Sequence, residues 1–129
     1  MSIVGLGIDL VDCARIQNSI ERFGDRFLKR IFTEGEIVYA QSMKFPARHF
    51  AARFAAKEAL SKAFGTGIGK SMGWRDLDVQ KNESGEPFVV LSGGARQMSE
   101  ARGVTKVWIS LSHTEESAMA TIILEAQNG

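Results

Sequence analysis

Phe45-Pro46-Ala47-Arg48-His49-Phe50-Ala51-Ala52-Arg53-Phe54-Ala55-Ala56-Lys57-Glu58-Ala59-Leu60-Ser61-Lys62-Ala63-Phe64-Gly65 is the stretch whose reading decides the fold. Pro46 suits a first helical turn, where its missing N–H costs nothing. Alanine, the best helix former, fills the middle. Gly65 suits the left-handed position just past a helix end. At about 100° per residue, Phe50, Phe54, Ser61 and Phe64 share one face, and Ala52, Ala56, Ala59 and Ala63 line the opposite one. A helix that is apolar or small on both faces is packed on both sides, so this element is expected to be central. Glu58 lies on its flank. Lys62, one turn on, makes a surface Glu–Lys pair the ordinary reading. A carboxylate on a tightly packed helix also suits a metal or another buried partner. On the helix alone both readings stand.

Outward from this helix, the chain divides readily. Ser2 to Val11 is a short apolar run with Gly5 and Gly7, a buried strand whose glycines let another backbone come close. Asp9 interrupts it, as an edge charge or as a ligand. Asp12 is placed to cap a helix through Arg15, Ile16, Ile20 and Phe23, ended by Gly24. Asp25 can cap a shorter helix, Arg26 to Phe32. Thr33-Glu34-Gly35-Glu36 has the spacing of a capping box and starts a third helix ending near Met43. After the long helix, Trp74 to Lys81 and Pro87 to Leu91 read as a hairpin around Asn82–Glu86. Ala95 to Arg102 reads as a helix ended by Gly103. Lys106 to Ser112 and Ser117 to Glu125 read as two closing strands. The order β-α-α-α-α-β-β-α-β-β predicts an α+β fold, an antiparallel sheet packed on a long central helix, in one domain over residues 1–129.

Composition narrows the function. The chain has 129 residues, 44% of them hydrophobic, and a net charge of +1. No apolar run approaches the roughly 20 residues that span a bilayer, and the opening residues lack the features of a secretory signal. The single Cys13 fits a reducing compartment, so the expectation is a cytoplasmic protein with no membrane partner. One Cys and two His exclude a Cys-rich zinc site, leaving a hard cation held by oxygens as the metal to consider. The charge is uneven. Arg15 to Arg30 carries five basic and two acidic residues, Lys44 to Lys62 five basic residues against Glu58, and the last fifteen residues three Glu and no basic residue. The first half is suited to anionic partners.

Motif by motif, several attractive readings fail. Gly65-Thr66-Gly67-Ile68-Gly69-Lys70-Ser71 resembles a phosphate loop, but Phe64 stands where its first glycine belongs and the loop follows a helix. Its glycines still leave backbone N–H groups able to approach an anion. Ser112 and His113 are strand neighbours that point to opposite faces. Cys13 at a helix start is read as an inert buried thiol. His113 is read as a turn residue or an anion contact. What remains is two carboxylates from different elements, Asp9 and Glu58, with Lys62 beside them. Two carboxylates completed by substrate phosphates and waters is a common way to hold Mg²⁺, and the surrounding basic residues would hold a polyphosphate.

Gly7-Ile8-Asp9 with Arg15-Ile16, and Arg53-Phe54-Ala55-Ala56-Lys57-Glu58-Ala59 running into Lys62-Ala63-Phe64-Gly65-Thr66-Gly67-Ile68, resemble the holo-acyl-carrier-protein synthases, the small class of 4′-phosphopantetheinyl transferases. The resemblance spans the whole chain. It implies transfer of 4′-phosphopantetheine from coenzyme A to a serine of apo-acyl-carrier protein, releasing adenosine 3′,5′-bisphosphate, in fatty acid biosynthesis. It implies Mg²⁺ on Asp9 and Glu58, with Lys62 holding a phosphate oxygen and steadying the leaving group. The base is Glu58 or a metal-bound water. Arg53, Lys44, Gly65 and His113 would contact the nucleotide, and Arg15, Arg22 and Arg26 the acidic carrier protein. It also implies a homotrimer with coenzyme A between subunits. The rival readings are a non-catalytic coenzyme A-binding module, which needs no pair of metal carboxylates, and a nucleic-acid-binding domain. The near-neutral charge and the apolar setting of most Phe residues speak against the latter.

Overall fold

The computed structural model describes residues 1–127; Asn128 and Gly129 of the expected domain lie outside the described residues. Strand β1 (Ser2–Asp12) leads into helices α1 (Cys13–Phe23), α2 (Asp25–Ile31), α3 (Glu34–Gln41) and α4 (Pro46–Phe64). A 3₁₀ turn (Trp74–Asp76), strands β2 (Leu77–Lys81) and β3 (Pro87–Leu91), helix α5 (Gly93–Ala101), and strands β4 (Val104–His113) and β5 (Ser117–Ala126) complete the chain. The α+β architecture with antiparallel strands around a long central helix is as the sequence predicts.

Helix α4 is the hub. Phe50, Ala51, Ala52, Phe54, Ala55, Ala56, Ala59, Leu60, Ala63 and Phe64 are all buried, so both faces are covered. One side receives the three-stranded sheet β1-β5-β4. Along β5, Ala118, Ala120, Ile122, Leu124 and Ala126 alternate inward and are buried. Along β1 the inward positions are Gly5, Gly7, Asp9 and Val11. A Cβ on Gly7 would overlap the Ala59 carbonyl oxygen and stand 2.9 Å from the Ala63 nitrogen. The strand therefore lies directly on the helix backbone, which only glycine permits. The other side of α4 packs on α1, α3 and β2. Phe50 meets Phe32 with ring centroids 4.9 Å apart, and Phe54 stacks on Trp74 at 4.9 Å.

The hairpin β2–β3 departs from the expectation of one continuous sheet, because its strands ladder only with each other among the described residues. Side chains close its outer edge. The Leu77 carbonyl accepts from Lys57 Nζ at 2.6 Å, and the Val79 N–H donates to Glu36 Oε2 at 2.8 Å. An ammonium and a carboxylate thus take the positions another strand would use. Glu36 also completes the predicted capping box: its Oε1 accepts from Thr33 N at 2.8 Å, and Thr33 Oγ1 accepts from Glu36 N at 3.2 Å. Strand β2 begins at Leu77 and not at Trp74, since Asp76 draws the preceding residues into a tight turn. Its Oδ2 accepts from Gly73 N at 3.0 Å and Ala95 N at 3.2 Å, which also ties down the start of α5.

Substituting Gly7→Ala should lower unfolding free energy by about 3 kcal/mol or more, since backbone must move to admit the methyl. Gly35→Ala, within α3 and with open space around it, should stabilise by roughly 0.5–1 kcal/mol. Denaturant unfolding of the two variants checks the contrast.

Candidate active site

Strand β1 and helix α4 bring Asp9, Glu58 and Lys62 together. With Gly5 and Gly7 seated on α4, the next inward residue of the alternation is Asp9, delivered to the helix surface. Lys62 does not form the surface pair with Glu58 that i,i+4 spacing suggests. Its Nζ donates to Asp9 Oδ1 at 2.9 Å and to the Ile8 carbonyl at 3.0 Å. Lys62 is 53% exposed and Asp9 17% exposed. Glu58 is half-buried beside them, and its carboxyl is pushed above the usual range, by burial first and by the Asp9 charge second. Lys62 and Arg15 pull the other way. The charge of Arg15, on α1, therefore reaches Glu58, and its guanidinium sits 5.5 Å above the Phe54 ring.

The donor chemistry fits a hard divalent cation. Asp9 and Glu58 offer only oxygens, held near enough for one carboxylate to disfavour ionisation of the other. No group of three or more His, Cys, Asp or Glu that could hold a metal occurs among the described residues. An ion held here would complete its coordination from waters or ligand oxygens, as Mg²⁺ commonly does.

The other expected site residues are dispersed. Arg53 and Lys62 are nine residues apart, so on a helix turning about 100° per residue they point to opposite sides of α4. Arg53 is only 2% exposed. Its guanidinium stands 4.4 Å over the Tyr39 ring, its Nη1 donates to the His49 carbonyl at 3.3 Å, and its Nε has no partner among the described residues. Burial lowers its pKa, with Tyr39, Glu36 and Asp78 opposing. His113 at the end of β4 is exposed, and its ring meets that of His49 with centroids 5.2 Å apart. His49 in turn stands edge-on to Tyr39 at 5.7 Å, and Lys81 Nζ lies 5.0 Å over Tyr39. His49 thus joins Arg53 to His113, a role the sequence reading missed; its place one turn before Arg53 was the available signal. Burial, then His113, Arg53, Lys81 and Arg48, bring its pKa down to about 4.

Lys44 is exposed against the Phe45 ring, in a hollow shared with Cys13, Gln17, Arg48 and Glu115. Gly65 takes the left-handed conformation expected at the α4 C-terminus (φ 76°). Its N–H is engaged there, donating to Ser61 O at 2.9 Å and Lys62 O at 3.0 Å, so the expectation of a free anion-binding N–H does not hold at this residue. Lys57, counted among charges suited to anionic partners, is fully buried on Glu36 at 2.9 Å. Burial lowers its pKa and the Glu36 charge opposes. Cys13 is buried, which raises its thiol pKa and agrees with an inert role.

Arg15, Arg22 and Arg26 are exposed along α1 and α2. Arg15 and Arg22 line a groove of about 750 Å³ with Asn18, Ser19 and Phe23, and Glu115 and Glu116 supply its acidic rim. Arg22 stands 5.3 Å over the exposed Phe23 ring. Opposite α4, no helix among the described residues covers the outer face of the three-stranded sheet. Its rows read Leu6–Ile123–Trp108, Ile8–Thr121–Ser110 and Leu10–Met119–Ser112. Leu6 and Leu10 are 64% and 66% exposed and Trp108 49%.

Comparison with known proteins agrees with this geometry. The family model of the 4′-phosphopantetheinyl transferase superfamily matches residues 5–122. The holo-acyl-carrier-protein synthase of Koribacter versatilis is 49% identical over 123 residues, covering 95% of this chain and 98% of that one. The crystal structure of the Neisseria meningitidis synthase superposes with a TM-score of 0.88 at 32% identity, covering 96% of this chain and 99% of that one. The Helicobacter pylori synthase in complex with coenzyme A superposes with a TM-score of 0.83 at 32% identity, covering 93% and 99%.

Proposed function

This chain belongs to the 4′-phosphopantetheinyl transferase superfamily, and from that premise we propose how its residues carry out the family's reaction. It transfers 4′-phosphopantetheine from coenzyme A to a serine of apo-acyl-carrier protein, a step of fatty acid biosynthesis, and releases adenosine 3′,5′-bisphosphate. The observation that carries the reading is the meeting of Asp9, Glu58 and Lys62 at the β1–α4 contact.

The serine oxygen attacks the phosphorus nearer pantetheine, the bond to the bridging oxygen breaks, and that oxygen leaves with the nucleotide. Asp9 and Glu58 would hold Mg²⁺, which when bound neutralises diphosphate charge. Lys62, half-exposed on a flexible stem, contributes a positive charge to the departing oxygen. Glu58, beside Asp9 and Lys62, is the carboxylate this chain offers to take the serine proton, directly or through a water. His113, backed by Arg53 through His49, and separately Lys44 just before the start of α4, would bind the nucleotide phosphates. The positions of Arg53 and Lys62 on opposite sides of α4 suit a ligand held between subunits. A homotrimer built on the bare sheet face would supply that arrangement. One transferase domain over residues 1–129, working in a reducing cytoplasm, completes the reading.

Mass spectrometry of apo-carrier protein incubated with this protein, coenzyme A and Mg²⁺ should find a gain of one phosphopantetheine. Asp9→Ala and Glu58→Ala should each reduce the rate at least about a hundredfold, the scale expected when a positioned charge or base is lost. No mass gain from the wild type would reject the transferase reading, and near-normal Mg²⁺-dependent rates in either variant would free that residue of its role.

Sedimentation should find a trimer, and Leu6→Asp with Trp108→Asp should give monomers without transfer activity. An active wild-type monomer would end the trimeric reading.

Arg22 and Arg26 are the docking residues farthest from the Glu58 field. Reversing both to Glu should raise the KM for carrier protein up to about tenfold, as expected for a few exposed charge pairs. The coenzyme A KM should stay within about twofold. Unchanged carrier kinetics would move the docking surface elsewhere.

A further inference from the structure

Lys62 holds the one contact in this site that a bound metal would have to displace. Its helix neighbour Glu58 is the partner that i,i+4 spacing provides. The ammonium instead crosses to β1, with Asp9 Oδ1 at 2.9 Å and the Ile8 carbonyl at 3.0 Å. We infer that Lys62 is the resident counter-cation of Asp9: it occupies the carboxylate until a divalent ion takes it, and the exchange frees the ammonium for the coenzyme A diphosphate.

Three observations support the exchange. Both cations require the same Asp9 carboxylate, so they compete for it. The Lys62 side chain is 53% exposed, so solvent lies open to it when it leaves Asp9. The site also holds Asp9 and Glu58 against Lys62 and Arg15, so a divalent ion brings an excess of positive charge that favours an anionic ligand. Metal entry and diphosphate binding are thereby coupled through one side chain. Arg15 is unsuited to this part, since its guanidinium is held over Phe54.

The inference rests on Asp9 and Glu58 being the metal ligands, and the test separates the two ideas. Mn²⁺ binding to the whole protein, without coenzyme A, is followed by electron paramagnetic resonance of the free ion. Asp9→Asn should lose the binding. Lys62→Met should tighten it about three- to fivefold, the upper range for a partly exposed ion pair. Arg15→Gln removes a charge that Glu58 feels without touching Asp9, and should change the affinity less. Equal affinities for wild type and Lys62→Met, or a gain no larger than that of Arg15→Gln, overturn the inference while the metal site stands. Wild-type binding that is absent, or insensitive to Asp9→Asn, overturns the metal reading and the inference together. Lys62→Gln serves the same comparison should Lys62→Met not fold.

Discussion

The contact between the β1 and α4 backbones is the constraint on which the site depends. Gly7 lies where any side chain would overlap the Ala59 carbonyl, and Gly5 is similarly crowded by Ala63. Alanine on the helix and glycine on the strand reduce the spacer between two backbones almost to nothing. Because strand residues alternate, this contact also decides that Asp9 faces the helix. Close packing and ligand placement are therefore one geometric fact, and loosening the first would move Asp9 from Glu58 and Lys62.

The far side of α4 is held by different physics. Burying Lys57 and Glu36 together would be costly if either were left unpaired. Both are satisfied, by each other at 2.9 Å, by the Thr33 and Val79 N–H groups and by the Leu77 carbonyl. The network gains direction from this expense, since it joins the α3 cap, the middle of α4 and the edge of β2 at one point. Apolar contact alone would let those elements slide. Helix α4 is thus held by backbone proximity on one side and directional bonds on the other, and the second arrangement accounts for the hairpin's separation from the main sheet.

What the sequence revealed follows from which signals are local. The long helix, its Pro46 start and Gly65 end, the Thr33–Glu36 capping box and the strand glycines each rest on near neighbours, and all are found in place. Asp9 and Glu58 stood out as carboxylates in apolar surroundings. The Lys62 pairing was illegible because the helix offered a sufficient partner in Glu58, and only the approach of β1 supplies a better one. Lys57 and Arg53 were counted among charges suited to anionic partners for a related reason: burial of a cation depends on a distant carboxylate or ring, here Glu36 and Tyr39. His49 was passed over because its significance lies in contacts with Tyr39 and His113, on other elements.

Lys57 and Glu58 are consecutive, yet one serves the buried network and the other the open site. Their difference in direction is a single step of helix rotation, about 100°. The helix works like a cam with its lobes cut at fixed phases: Arg53 toward Tyr39, Lys57 toward Glu36, Glu58 and Lys62 toward β1. Individual side chains on it can be exchanged one at a time. Its length cannot, because one residue inserted or deleted before position 57 would turn every later lobe by the same angle. Such a change would bring the wrong charge to the buried socket and to the open site in one event. Over this segment, evolution can revise the letters but not the count.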